Sequence, residues 1–237
     1  LDRYGAQKCR CYATKREEKE SLMMYPAAGV QFLTALANNN NREWFQTNKT
    51  TYETHVKEPA RKLAETIQIR LSAEIGSEID FKIFRINRDI RFSKDKTPYN
   101  THVRFGFWEA DEKIEKPMAG PAFYLSIEAD RLHVGAGCMQ FPPNSLEAYR
   151  HHIGLNGEDV ADTIEALEAK NARFDPPALK RVPRGFDTEH PQAELMKRKG
   201  LTCWFDNMFG AARDITADEI TDAFTQTLPI YNIVKKL

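Results

Sequence analysis

Near Gly76 the apolar residues of this chain change their spacing from a helical period to strict alternation. One fold has to satisfy both periods, so an α+β architecture is expected, with helices at 26–37 and 42–75 and a largely antiparallel sheet over 81–138. Before the switch, Val30, Leu33, Leu36 and Ala37 recur at helical spacing behind Pro26, and the run of asparagines at 38–41 stops the helix. Asn41 then caps a second helix, whose stripe of Trp44, Tyr52, Val56, Leu63, Ile67 and Leu71 ends before Gly76. Pro59 is expected to kink or divide it. Trp44 and Phe45 could edge a ligand site, but aromatic stripes at this spacing more often belong to a core.

After the switch, FKIFRIN (81–87) reads as a strand whose apolar phase shifts between Ile83 and Phe84, as a bulge or burial on both faces would produce. THVRFGFW (101–108), AFYLSIE (122–128) and RLHVGAGC (131–138) alternate cleanly, and Ala129–Asp130 is short enough to make the last two a hairpin. Their apolar faces hold Val103, Phe105, Phe107, Phe123, Leu125, Ile127, Leu132, Val134 and Ala136. The opposite faces hold His102, Arg104, Tyr124, Ser126, Glu128 and His133, richer chemistry than a solvated sheet usually shows. Gly106, Gly135 and Gly137 lie on these strands, where a glycine often marks a bulge or a close approach to the backbone.

The C-terminal part reads as helical again. FPPNSLEAYRHHIG and GEDVADTIEALEAKNA predict two helices, with His151 and His152 about 100° apart on the first and therefore poorly placed to share an ion. A proline-rich connection (174–191), a helix at 191–199 and a possible strand LTCWFDNMF follow. The box Thr216-Ala-Asp-Glu219 opens a final helix that Pro229 is expected to bend.

Function must be sought locally, because Lys plus Arg equals Asp plus Glu at 34 each in 237 residues and no global field draws the chain to nucleic acid or an anionic membrane. Such a length supports a sizeable core, and residues 23–237 are expected to form a single domain. Residues 1–22 are polar and without period, and read as a disordered, dispensable leader, with Met23 or Met24 as candidate starts. Cys9, Cys11, Cys138 and Cys203 give neither a disulfide framework nor a finger spacing, which favours a reducing compartment and makes the cytoplasm the default location. No membrane span or secretory segment is read.

The local concentration lies in RDIRFSKDKTPYNTH (88–102) and its flanks. Between residues 82 and 104, Lys82, Arg85, Arg88, Arg91, Lys94, Lys96 and Arg104 stand against Asp89 and Asp95, seven cations to two carboxylates. Arginine forks and lysine point charges suit phosphate or carboxylate, so a small anionic ligand is the expected partner. The expected contacts are Arg88, Arg91, Lys94, Lys96, Tyr99, Arg104 and Arg184, with Arg181 and Gly185 nearby in the proline-rich connection. His102, Glu128, His133 and Asp95 are candidate proton-transfer groups, although no nucleophile elbow, P-loop or zinc motif singles one out. His102, His133 and Glu128 could meet around a metal, but strand histidines are more often structural, and neither metal nor cofactor is assigned. Two other classes remain open. One is a nucleic-acid binder stacking bases on Trp108, Tyr124 and Tyr99, which overall neutrality disfavours; the other is an interaction module whose charges are ion pairs pinning a loop.

RINRDIRFSKDKTPYNTH, RLHVGAGC with FPPNSLEAYR after it, and LKRVPRGFDTEHPQAELMKRKGL together resemble the uncharacterised family known as domain of unknown function 2461, and NNNREWFQTNKTTYETHVKEPA resembles its N-terminal pattern. The likeness runs in order over about residues 26–210. It implies no mechanism. The chain departs from the family at Asn100, where lysine or a similar residue usually precedes the Thr-His pair.

Overall fold

A computed structural model describes residues 24–110, 120–209 and 211–237. The expectations for the leader, Cys9, Cys11 and Met23 fall outside these residues. Strand β1 (Met24–Tyr25) pairs with β8 (Ile215–Thr216), so a strand pairing lies just ahead of Pro26. Helix α1 (Ala27–Asn38) leads into the asparagine run, in which each residue has a separate task. Asn39 ends α1, its N–H donating to Leu36 O. Asn40 clamps a distant loop, and Asn41 caps α2 (Arg42–Thr47) by accepting from Trp44 N at 2.9 Å.

The long helix expected over 42–75 is divided into α2, α3 (Lys49–Tyr52), a π-helical turn (Glu53–Lys57) and α4 (Glu58–Ile75). Pro59 explains the π turn, since it has no N–H for the carbonyl of residue 55 and the ladder widens just ahead of it. α4 buries Leu63, Ala64, Ile67 and Leu71 on one stripe and ends at Gly76, whose φ of 72° suits a left-handed cap.

Strands β2 (Ile79–Ile83), β3 (Val103–Glu109), β4 (Ala122–Ile127), β5 (Arg131–Cys138), β6 (Arg173–Phe174) and β7 (Leu201–Met208) form one sheet in the order β2-β3-β4-β5-β7-β6, antiparallel throughout. The phase shift at Ile83 and Phe84 marks the end of β2 rather than a bulge within it. On the inner face Phe105, Phe107, Phe123, Leu125, Ile127, Leu132, Val134 and Ala136 are at most 2% exposed. Against them lies α7 (Ala217–Lys235), where Phe224 meets Phe123 edge-on at 5.2 Å and Tyr231 stacks on the same ring at 4.3 Å. Burying each such ring contributes roughly 1.5–3 kcal/mol, which makes this layer the main support of the sheet.

The two helices read after the sheet join into α5 (Pro143–Glu168), kinked at Asn156, and the helix expected at 191–199 shrinks to α6 (Ala193–Met196). A second apolar cluster forms from Tyr149, Ile153, Leu195, Leu201, Cys203 and Ile230. Thr216 caps α7 by accepting from Glu219 N at 3.2 Å, but the Glu219 carboxylate turns to Arg213 and Asn207 instead of completing the box. α7 continues through Pro229. Among the described residues no helix is long and apolar enough to cross a membrane.

Candidate functional site

The outer face of the sheet carries three rows of side chains, fixed by strand register. In the first, His102 and Glu128 flank the Val103–Ile127 pair. The second runs Arg104, Ser126, His133, Asp206 across β3, β4, β5 and β7. The third runs Gly106, Tyr124, Gly135, Trp204, Arg173 and reaches β6. Apart from Gly106, Gly135 and Asp206, the residues of these rows line the floor of a cavity of about 850 Å³, within the size range of small-molecule sites. Its wall is the arm between β2 and β3, which contributes Phe84, Arg85, Asn87, Arg88, Asp89 and Asn100.

The arm is anchored by backbone and by one aromatic ring. Asn87 bridges Tyr99, Arg88 N donates to Pro98 O at 2.9 Å, and Asn100 N donates to Ile86 O at 2.7 Å. Asn40 pairs both polar groups of its amide with the Tyr99 backbone, at 2.9 and 3.1 Å, as a neighbouring strand would. The Tyr99 ring is 5% exposed and stacks on Phe45 at 4.0 Å, so this residue belongs to the core and not to the cavity wall.

Most charges of the arm are answered within it. Arg88 bonds Asp95 at 2.5 Å and also Thr97; with the Thr97 backbone N–H bonded first and Arg88 second, the exposed Asp95 carboxyl is held at about 2. Arg91 grips Asp89 through two nitrogens, at 2.9 and 2.6 Å, and Lys96 donates to Ile90 O at 3.0 Å. Of the sequence candidates, Arg88, Arg104, His102, Glu128 and His133 line the cavity, whereas Arg91, Lys94, Lys96, Asp95, Tyr99 and Arg184 are not in its lining. The proline-rich connection contributes Asp175, just after Arg173 of β6, in place of Arg181 and Arg184.

Cations and carboxylates are unevenly spread over the floor. On the β3 side, Arg104 makes no ion pair among the described residues. Burial pushes the His102 imidazole down to about 4, and Arg104, His133 and Arg88 add to the effect in that order. On the β5–β7 side the charges are chained. His133 Nδ1–H donates to Asp206 Oδ1 at 2.6 Å, a direction fixed because a carboxylate only accepts, and its Nε2 lies 3.5 Å from Glu128 Oε1. Ser126 donates to Glu128 at 3.3 Å, and Arg173 donates to Asp206 at 2.9 Å and to Asp175 at 3.1 Å. Burial would raise the Asp206 carboxyl, but the Arg173 and His133 hydrogen bonds outweigh it and hold the group below the usual range. A histidine with Nδ1–H fixed on a carboxylate presents Nε2 for proton exchange. Among the described residues no cluster of His, Cys, Asp or Glu has metal-holding geometry, and both His133 nitrogens face carboxylates.

The room left by glycine is occupied by the chain itself. A Cβ on Gly135 would meet Trp204 Cε3 at 2.5 Å, so the indole lies directly on that residue, while Gly137 (φ 134°) closes against the Leu201 carbonyl. Trp204, Asp206, Arg173 and Asp175 are functional candidates that the sequence reading missed. Alternation within Leu201–Met208 puts Thr202, Trp204 and Asp206 on one face, but nothing in the spacing says that this face adjoins His133.

A family model described as Conserved hypothetical protein (DUF2461) matches residues 28–232. The chain belongs to that family. The match spans both the sheet and the arm, so the cavity is built wholly from the family's own region. No curated protein matches the sequence.

Proposed function

We propose that this chain binds a small molecule bearing phosphate or carboxylate in the cavity between the arm and the outer sheet face. The observation that carries the reading is Arg104, which lines the cavity beside His102 and makes no ion pair among the described residues. An anion beside Arg104 would supply that missing partner, and a charge-assisted hydrogen bond of this kind contributes roughly 1.5–3 kcal/mol. Concavity favours a small ligand over a nucleic-acid strand, since Tyr99 and Tyr124, two of the three stacking candidates, are 5% and 4% exposed. The His133–Asp206 pair equips the same cavity for proton transfer to or from a bound ligand, with Glu128 as the alternative acceptor.

Thermal-shift screening against phosphorylated and carboxylated metabolites tests the proposal. Stabilisation by one or more of them is expected in the wild type and should be lost in Arg104→Ala without a change in the ligand-free melting temperature. A wild type that no anion stabilises would remove the proposal.

A further inference from the structure

We infer that the anion taken by this site also carries a planar aromatic ring, in the manner of a nucleoside monophosphate, with the ring on Trp204 and the anionic group at Arg104. The inference rests on the binding reading above and specifies the ligand class. Trp204 is presented as a surface. Its indole lies on Gly135, where a Cβ would come within 2.5 Å of the ring, so the glycine lets the indole lie down on the sheet. Tyr124 sits beside it at 5.7 Å, and the Arg173 guanidinium lies over the ring 5.9 Å from its centroid, a second plane on which an aromatic ring can stack. Arg173 is in turn fixed by Asp206 and Asp175, so the indole's neighbour on β6 is held in place by ion pairs.

The rim adds partly exposed apolar area, although Lys82 Nζ lies over the Phe84 ring at 5.5 Å. Phe84 on the arm and Met139 after β5 both line the cavity and are 37% and 53% exposed. A simple inorganic anion would use neither, whereas a ring entering over Trp204 covers apolar surface as it stacks, a contact that tolerates any base because every base has a π-face. The spacing also separates ring from anion. Arg104 and Trp204 stand three inter-strand steps and one row apart, roughly 16 Å between backbones, and both line the cavity. A ring joined to phosphate through a sugar-sized spacer bridges such a gap; a phosphate or a ring alone engages one end only.

The test is calorimetric titration of the full chain with adenosine monophosphate, ribose 5-phosphate, inorganic phosphate and adenosine. Adenosine monophosphate is expected to bind at least tenfold tighter than ribose 5-phosphate, and Trp204→Leu should erase that margin while leaving ribose 5-phosphate binding unchanged. If the variant does not fold, the wild-type comparison decides alone. Equal binding of adenosine monophosphate and ribose 5-phosphate overturns the ring inference and leaves the anion reading standing. Failure of every phosphate to bind overturns both.

Discussion

The arm and the sheet face it covers both carry arginines, yet they use them in opposite ways. In the arm, Arg88 and Arg91 are each matched by an aspartate a few residues away, so the charge that dominates the sequence is spent on shaping a loop. On β3, Arg104 has no such partner among the described residues, and burial, with Arg104, His133 and Arg88 adding to it, pushes the half-buried His102 beside it down to about 4. A dense run of charge in sequence therefore marks local order, because close residues find each other first. Under the proposed reading, a cation that a strand carries away from its own loop keeps its field for a ligand.

The contrast breaks most visibly at Tyr99. If the arm is held by packing rather than by its ion pairs, Tyr99→Ala should destabilise the protein by about 3–5 kcal/mol, the usual cost of emptying a buried aromatic site. Denaturant unfolding measures this, and a loss comparable to that of Arg88→Ala would return the main role to the charges. Arg104→Ala comes next in size, with anion affinity reduced roughly tenfold or more and unfolding nearly unaffected. Arg91→Ala should change either quantity by no more than about 1 kcal/mol, since its partner is an exposed aspartate in the same turn. A large loss of binding in Arg91→Ala would show that the arm's paired charges reach the ligand after all.

A further effect sharpens the comparison through pH. His102 has a folded pKa of about 4 against an ordinary 6.5, so the unfolded chain takes up its proton first as pH falls. Its contribution to stability is complete above about 6.5 and is lost between about 6.5 and 4. Asp95, lowered from 3.8 to about 2, loses its contribution only in that more acidic window. His102→Asn should therefore flatten the upper part of the stability profile and leave the lower part to the arm.

Much of this was legible in the sequence. Alternation placed Arg104, His102, Glu128 and His133 on one face, because side-chain parity along a strand is a local property. The α+β class followed from the change of period, and the Asn41 and Thr216 caps from short-range chemistry. What escaped was neighbourhood. Asp206 and Trp204 meet His133 and Gly135 only because β7 returns beside β5 across more than sixty residues, and parity does not encode which strands pair. Ion pairing inside the arm escaped for a related reason: the sequence shows charges, but turn geometry decides which of them meet.

The most direct measurement of the central claim is the titration of His102 by NMR, in the free protein and in the presence of phosphate. The account predicts a pKa of about 4 in the free protein, set first by burial, and a rise when phosphate is added, because an anion beside Arg104 offsets the part that Arg104 and Arg88 add. A His102 that titrates near 6.5 and ignores phosphate would contradict it.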